Sequence, residues 1–163
     1  ILWDQVPRTP SPEQRALVAR QVEGDREFVR RMEEALPEGA MVFQLPIMPF
    51  PESPAPGVSP YDHFRPYIHG DRLRYSFGSM KGRDTWQEEL GRVPFEDAVA
   101  DLKKRGFAAL EINRNGFPDR GRALEEKLLA MGFDSPPLRN ATGELTCIVL
   151  APRPAEATAT PAP

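Results

Sequence analysis

The chain has 163 residues, 40% hydrophobic and 28% charged, which suits one globular domain with a real core and leaves little room for two. A net charge of −3 removes the electrostatic ground for nucleic-acid binding, which needs a clustered basic face, so no nucleic-acid partner is expected. No window offers the roughly 18 to 20 apolar residues of a membrane span, no secretory leader is read, and the single Cys147 reads as a small buried hydrophobe. The chain opens at Ile1 without an initiator methionine, which suits a piece of something larger, and a tag or processing site would look the same.

Residues 1–10 read as an irregular lead-in. Ser11-Pro12-Glu13-Gln14 then combines an N-cap serine, proline at the first helical position and a glutamine placed for a capping box, so a helix starts there. Val18, Val22, Val29, Met32 and Leu36 form its apolar stripe, with Gly24-Asp25 as a point where it could split in two. Met41, Val42, Phe43 and Leu45 around a lone Gln44 make a short central strand, ended by Pro46. A long proline-rich loop follows, holding seven of the chain's 19 prolines between Pro46 and Pro66; loops that leave a central strand are common places for binding groups, and stiff connectors look the same.

Residues 72–77 alternate, with Leu73, Tyr75 and Phe77 on one face of a half-buried strand. Residues 78–83 are a glycine-bearing loop with two cations, and Asp84 is placed to cap a short helix from Trp86 to Leu90. Pro94 opens the next helix, with Phe95, Val99 and Leu102 inward; Gly106 ends it, and residues 107–112 make a second central strand. Residues 122–131 form a helix stopped by Gly132-Phe133, the same chemistry as Gly106-Phe107, and residues 138–150 read as a closing hairpin. The Ala/Pro/Thr tail, residues 151–163, reads as flexible. The expected fold is α/β: one layered domain over residues 11–150 with a mixed sheet of four to five strands, helices packed on it and the long proline-rich loop.

Two groups of residues carry possible chemistry. Asp62, His63 and His69 pair imidazole with carboxylate, enough for a general base or a metal-assisted hydrolase or phosphotransferase; their spacing matches no zinc signature, and no metal or cofactor is assigned. The bland reading is solvated or hydrogen-bonded loop histidines. Residues 61–83 also hold five cations against two carboxylates, so an anionic ligand is plausible beside the alternative of a merely wet strand face. The ligand-binding candidates are Gln44, Arg65, Tyr67, Arg74, Lys81, Arg83 and Trp86, the aromatic members as platforms for a sugar ring. Asn140-Ala141-Thr142 matches a glycosylation sequon of the kind met by chance. A scaffold that binds another protein through the proline loop is a third possibility.

Met41-Val42-Phe43-Gln44-Leu45-Pro46 with Pro49-Phe50-Pro51-Glu52, then Tyr61-Asp62-His63-Phe64-Arg65-Pro66-Tyr67 with His69, then Leu73 to Gly78 with Met80-Lys81-Gly82-Arg83 and Trp86, resemble the C-terminal region of bacterial polytopic membrane proteins labelled as sugar transferases or phosphoglycerol transferases. Asp4-Gln5 resembles the junction after their last membrane span, and residues 106–114 their later strand. The resemblance implies an accessory, extracytoplasmic (periplasmic) domain at the bacterial inner membrane, whose partners are the membrane-embedded remainder of a parent protein and a lipid-linked sugar or anionic headgroup. It supplies no catalytic residue.

Overall fold

The computed structural model describes residues 9–50, 56–83 and 85–151. The expected lead-in and tail therefore fall almost wholly outside the described residues, as do Asp84 and the middle of the proline loop.

Helix α1 (Pro12–Ala35) starts on the expected capping box: the Gln14 amide N–H donates to Ser11 Oγ at 3.1 Å, and the Ser11 N–H to Gln14 Oε1 at 2.8 Å. The helix is unbroken. Gly24 and Asp25 are buried within it, because a Cβ on Gly24 would stand 3.0 Å from Ala141 Cβ and the helix must come that close to a hairpin turn. Its first turns stand clear of the body, leaving Leu17 and Val18 exposed, so the apolar stripe is used only from Phe28 onward.

The remaining elements are β1 (Met41–Leu45), β2 (Pro49–Phe50), α2 (Phe64–Tyr67), β3 (Arg74–Tyr75), β4 (Ser79–Met80), α3 (Trp86–Leu90), α4 (Phe95–Lys104), β5 (Phe107–Asn113), α5 (Arg122–Ala130), β6 (Leu138–Arg139) and β7 (Leu145–Val149). The main sheet is mixed and five-stranded, in the order β3-β1-β5-β7-β6. β1 runs parallel to β3 and β5, while β7 runs antiparallel to β5 and β6, so the hairpin supplies the antiparallel edge. β2 and β4 pair parallel in a separate two-stranded ribbon. The fold is thus the α/β layered arrangement expected from the sequence.

Side-chain alternation divides the core. Val42, Ala109 and Cys147 face α1, against Phe28, Met32 and Leu36. Phe43, Leu110, Ile112 and Ile148 face the other way, against Val99 and Leu102 of α4 and Leu128 of α5. Both helices end in the predicted left-handed glycines, Gly106 at φ 91° and Gly132 at φ 88°. After Gly132 the Phe133 N–H returns to the Leu128 carbonyl at 3.1 Å.

Candidate functional site

Parallel strands β1, β3 and β5 point to the same end of the sheet, with β3 stopping opposite Val42 while β1 and β5 run on, and their continuations part. From β1 the chain reaches β3 through α2, which is tied to α1 by the Arg65–Asp25 ion pair; from β3 it reaches β5 through α3 and α4 on the opposite face. A reversal of this kind opens a crevice beyond the carboxyl ends of the strands. Among the described residues, a cleft of about 550 Å³ lies there, lined by Phe50, Phe64, Phe77, Gly78, Ser79, Met80, Arg83, Thr85, Trp86 and Gln87.

The proline loop and the cationic loop meet at this cleft. Phe50 is paired in register with Met80, the Ser79 N–H donates to the Met48 carbonyl at 3.1 Å, and the Lys81 N–H to the Phe50 carbonyl at 2.9 Å. Gly78 has to be glycine: a Cβ would lie 1.7 Å from the Met48 oxygen. Phe50, Tyr61, Phe64 and Phe77 form one aromatic cluster, tightest between Phe64 and Phe77 with ring centroids 4.4 Å apart.

Phe77 sits in the left-handed region, at φ 55°. An aromatic residue holds that conformation only where its surroundings dictate it. The anchor is Gln44, fully buried at the end of β1: its Oε1 accepts the Phe77 N–H at 3.0 Å, and its Nε2 donates to the His63 carbonyl at 2.9 Å and to Glu111 Oε1 at 3.3 Å. The Gln44 backbone N–H adds a bond to Ser76 Oγ at 2.9 Å. The lone polar residue of an apolar strand is thus a tie between β1, the start of α2 and the loop after β3. It positions the cleft floor without lining it.

The other residues expected to bind ligand divide. Arg83 and Trp86 line the cleft. Trp86 also packs on Phe43 and Phe107 and carries the Arg105 guanidinium 4.5 Å over its ring. Arg74 and Lys81 are exposed, and with Arg83 they make no ion pair among the described residues. Tyr67 is exposed on α2 outside the cleft. Arg65 is committed elsewhere: Nε and Nη2 donate to the two Asp25 oxygens at 2.8 and 3.0 Å, and Nη2 also to Glu144 at 2.9 Å. The Gln21 amide faces the same guanidinium, and hydrogen-bond chemistry assigns its oxygen, not its NH2, to that side. Leu73 and Tyr75 face the α1 core as the alternation predicts, whereas the turn at Phe77 takes that ring out of the row into the cleft.

Asp62, His63 and His69 make no side-chain hydrogen bond to one another among the described residues. Asp62 Oδ2 accepts the Ser59 N–H at 3.0 Å and closes the turn into α2. His63 is buried, with Nε2 donating to the Pro46 carbonyl at 2.9 Å and the ring edge against Phe77. Burial holds its imidazole below the usual histidine range, so it is neutral, with the Pro46 and Asp62 contacts opposing that drop. Among the described residues no three His, Cys, Asp or Glu side chains gather as a metal-holding set.

Sequence reasoning passed over Glu111, which lies at full burial in β5, beside Gln44 on one side and Cys147 on the other. Burial pushes its carboxyl up to about 8, against the pull of the Gln44 bond and the Arg65 charge, so it is largely neutral at pH 7. Its only signal in the sequence is a charged residue inside an otherwise apolar strand. Asn140 is explained as well. It is buried, its Nδ2 donates to Asp25 Oδ1 at 2.9 Å and its Oδ1 accepts the Glu144 and Leu145 N–H groups, so the sequon asparagine is a turn anchor.

No described helix is long and apolar enough to cross a membrane. Compared with family models, curated proteins and solved structures, the chain matches none.

Proposed function

We propose that this chain is the accessory, ligand-orienting domain of a membrane-bound glycosyl- or phosphoglycerol-transferase-like protein, working on the extracytoplasmic face of the bacterial inner membrane. The cleft at the carboxyl ends of β1 and β3 receives the sugar-bearing or anionic part of the substrate. The carrying observation is one cleft that sets an aromatic wall of Phe64, Phe77 and Trp86 beside Arg83, a cation unpaired among the described residues, with Thr85 Oγ1 lacking any hydrogen-bond partner there. Flat apolar faces take the face of a sugar ring, and guanidinium takes phosphate or carboxylate in a fork. At about 550 Å³ the cleft falls within the range of small-molecule sites. Exposed Phe50, Met80, Tyr61, Tyr67 and Ile68, with Lys81 close to Phe50 and Met80, give this end of the molecule an apolar, cationic rim suited to a bilayer interface or an embedded partner.

Calorimetric titration with glycerol phosphate and with a hexose phosphate tests the reading. Saturable binding is expected, weakened about tenfold or more by Arg83→Ala, since a charge-assisted contact is lost. Phe77→Gly, which keeps the left-handed backbone and deletes the ring, should weaken the sugar ligand further. Absence of binding, or binding that ignores both changes, would sink the proposal. Membrane spans encoded upstream of Ile1 are the expectation for the parent, and their absence from the reading frame would remove the transferase half.

A further inference from the structure

At the β7-β6 edge of the sheet, the far side of the strand order from the cleft, a depression of about 410 Å³ lies between α5 and the hairpin, lined by Arg114, Arg122, Glu125, Glu126, Arg139 and Gly143. Three guanidinium groups thus come together from three segments: the turn after β5, the first turn of α5, and β6. In a chain of net charge −3 this is a local reversal of sign, and its weight depends on what the neighbouring carboxylates do.

Those carboxylates are mostly committed. Glu125 is clamped, with Oε1 accepting from Arg114 Nη1 and Oε2 from Arg139 Nη2, both at 2.5 Å. Its single negative charge is spread over two positive ones. Asp119 turns both oxygens to the start of α5, accepting the Gly121 N–H at 2.9 Å and the Ala123 N–H at 2.8 Å, and Glu144 faces Arg65 at 2.9 Å. Glu126 alone lines the depression with no ion pair among the described residues, and it is exposed. Opposite in sign is Arg122, also exposed, whose Nε reaches the Asp119 carbonyl at 3.3 Å while both Nη groups have no partner among the described residues. Three lining guanidiniums against two carboxylates leave one positive charge in excess.

The donors are also held in place. Arg114 is only 14% exposed, and its Nε is buried without a partner, so this guanidinium is under-bonded where it lies. Arg120 sits in the left-handed region at φ 61°, where a residue with a side chain stays only when its surroundings dictate it. Its Nη1 donates to Asn115 Oδ1 at 2.5 Å and its Nη2 to the Gly143 carbonyl at 2.9 Å, so that acceptor on the wall is tied to a cation. Guanidinium groups in this arrangement take an oxyanion. The plane between Arg114 and Arg139 is already filled by the Glu125 carboxylate, which favours an anion whose oxygens leave one plane.

We infer that this depression binds the phosphate group of a phosphomonoester, held by Arg122 and Arg139 with Arg114 behind them, Glu125 fixing the last two. At about 410 Å³ it leaves room beyond the phosphate for what the phosphate is esterified to. The site is separate from the cleft, and it stands whether or not the proposed transferase role does.

The test titrates the whole chain with inorganic phosphate, with methyl phosphate and with chloride at matched ionic strength, following backbone amide shifts by NMR. Saturating shifts centred on Arg122, Arg139 and Gly143 are expected with both phosphates and not with chloride. Arg122→Ala, an exposed change that leaves the Glu125 clamp intact, should weaken both about tenfold, and Arg122→Lys, which keeps the charge without the fork, should recover part of that loss. Glu126→Gln should tighten binding about threefold by removing the rival carboxylate. Arg83→Ala, in the cleft, should leave these shifts unchanged. Shifts that chloride reproduces, no saturation, or an affinity indifferent to Arg122→Ala overturns the site; shifts lost with Arg83→Ala put the anion in the cleft and overturn it too. Failure of methyl phosphate alone overturns the monoester.

Discussion

The two faces of the sheet solve the burial problem differently. Against α4 and α5 the buried side chains are mostly apolar, among them Phe43, Leu110, Ile112, Leu128 and Ile148, which need only shape, with Thr146 opposite Ile112 as a polar exception. Against α1 and α2 the same sheet buries Gln44, Glu111 and Asn113, with Asp25, His63 and Asn140 brought in by neighbouring segments. An apolar face tolerates substitution as long as volume is kept, whereas a buried polar group that loses its partner bears the full desolvation cost. The polar face therefore fixes geometry. Through it α2, the loop after β3 and the hairpin are held at set positions around the end of β1, and the cleft is the product.

The sharpest way to break this contrast is Arg65→Ala. Arg65 is the hub between α2, α1 and the hairpin, and its side chain is only 14% exposed against 3% for Asp25. Removing one member of such a pair leaves a buried charge uncompensated, so a loss of about 3–5 kcal/mol is expected in chemical denaturation. A loss below about 1 kcal/mol, the level of an exposed pair, would show that the network is more hydrated than the burial of Asp25 implies.

Next in size is a comparison within β1, where Phe43 and Gln44 are adjacent and face opposite ways. Gln44→Leu orphans the Phe77 N–H and the His63 carbonyl and should cost about 2–3 kcal/mol. Phe43→Leu, a change of shape alone, should cost about 1–2 kcal/mol. Ligand binding separates the two more cleanly. Gln44→Leu should abolish binding at the cleft because the left-handed turn at Phe77 is no longer held, while Phe43→Leu leaves that turn anchored. Equal effects on cleft binding would mean that Gln44 does not set the floor.

A smaller effect is read as a slope. Glu111 ionises near pH 8 in the folded chain and near the ordinary carboxylate value of 4.5 once unfolded. The folded state therefore binds more protons between those values, and the contribution of Glu111 is fully present below pH 4.5 and lost as pH rises to about 8. The steepest slope is about 1.4 kcal/mol per pH unit. His63 runs the other way: its folded pKa is depressed, so its contribution is present above the unfolded histidine pKa and lost as pH falls. The difference between wild type and Glu111→Gln isolates the carboxyl. That difference should change steadily across pH 5 to 8, and a flat one would mean that Glu111 is ionised in the fold.

What could be read locally was read from the sequence. The Ser11 capping box, the strands around Phe43 and Leu110 and the Gly-Phe helix stops each depend on neighbours a few residues away. Misplaced meanings belong to residues whose partners are distant. Arg65 looked like a free cation because Asp25 and Glu144 lie 40 and 79 positions off, and Asn140 looked like a sequon because its bond to Asp25 spans 115. Phe77 fits its strand alternation until the Gln44 amide, 33 residues back, turns it out. Glu111 left one mark, a charge inside an apolar strand, and that mark does not say that burial keeps the carboxyl largely neutral.

Gly24 gives the finest test of the polar face, because local and distant demands on it conflict. In a helix interior glycine costs about 1 kcal/mol relative to alanine, so Gly24→Ala should stabilise α1 by itself. The added Cβ, however, would stand 3.0 Å from Ala141 Cβ and 3.5 Å from its backbone N, next to the Asn140 that bonds Asp25. The turn would have to yield by a few tenths of an ångström and stretch that bond, so the single change should be near neutral or slightly destabilising. Ala141→Gly removes the opposing methyl. The double-mutant cycle should then show favourable coupling of about 0.5–1 kcal/mol between the two sites. Zero coupling would mean that α1 and the hairpin turn are not pressed together at Gly24, and that the glycine persists there for some reason other than close approach.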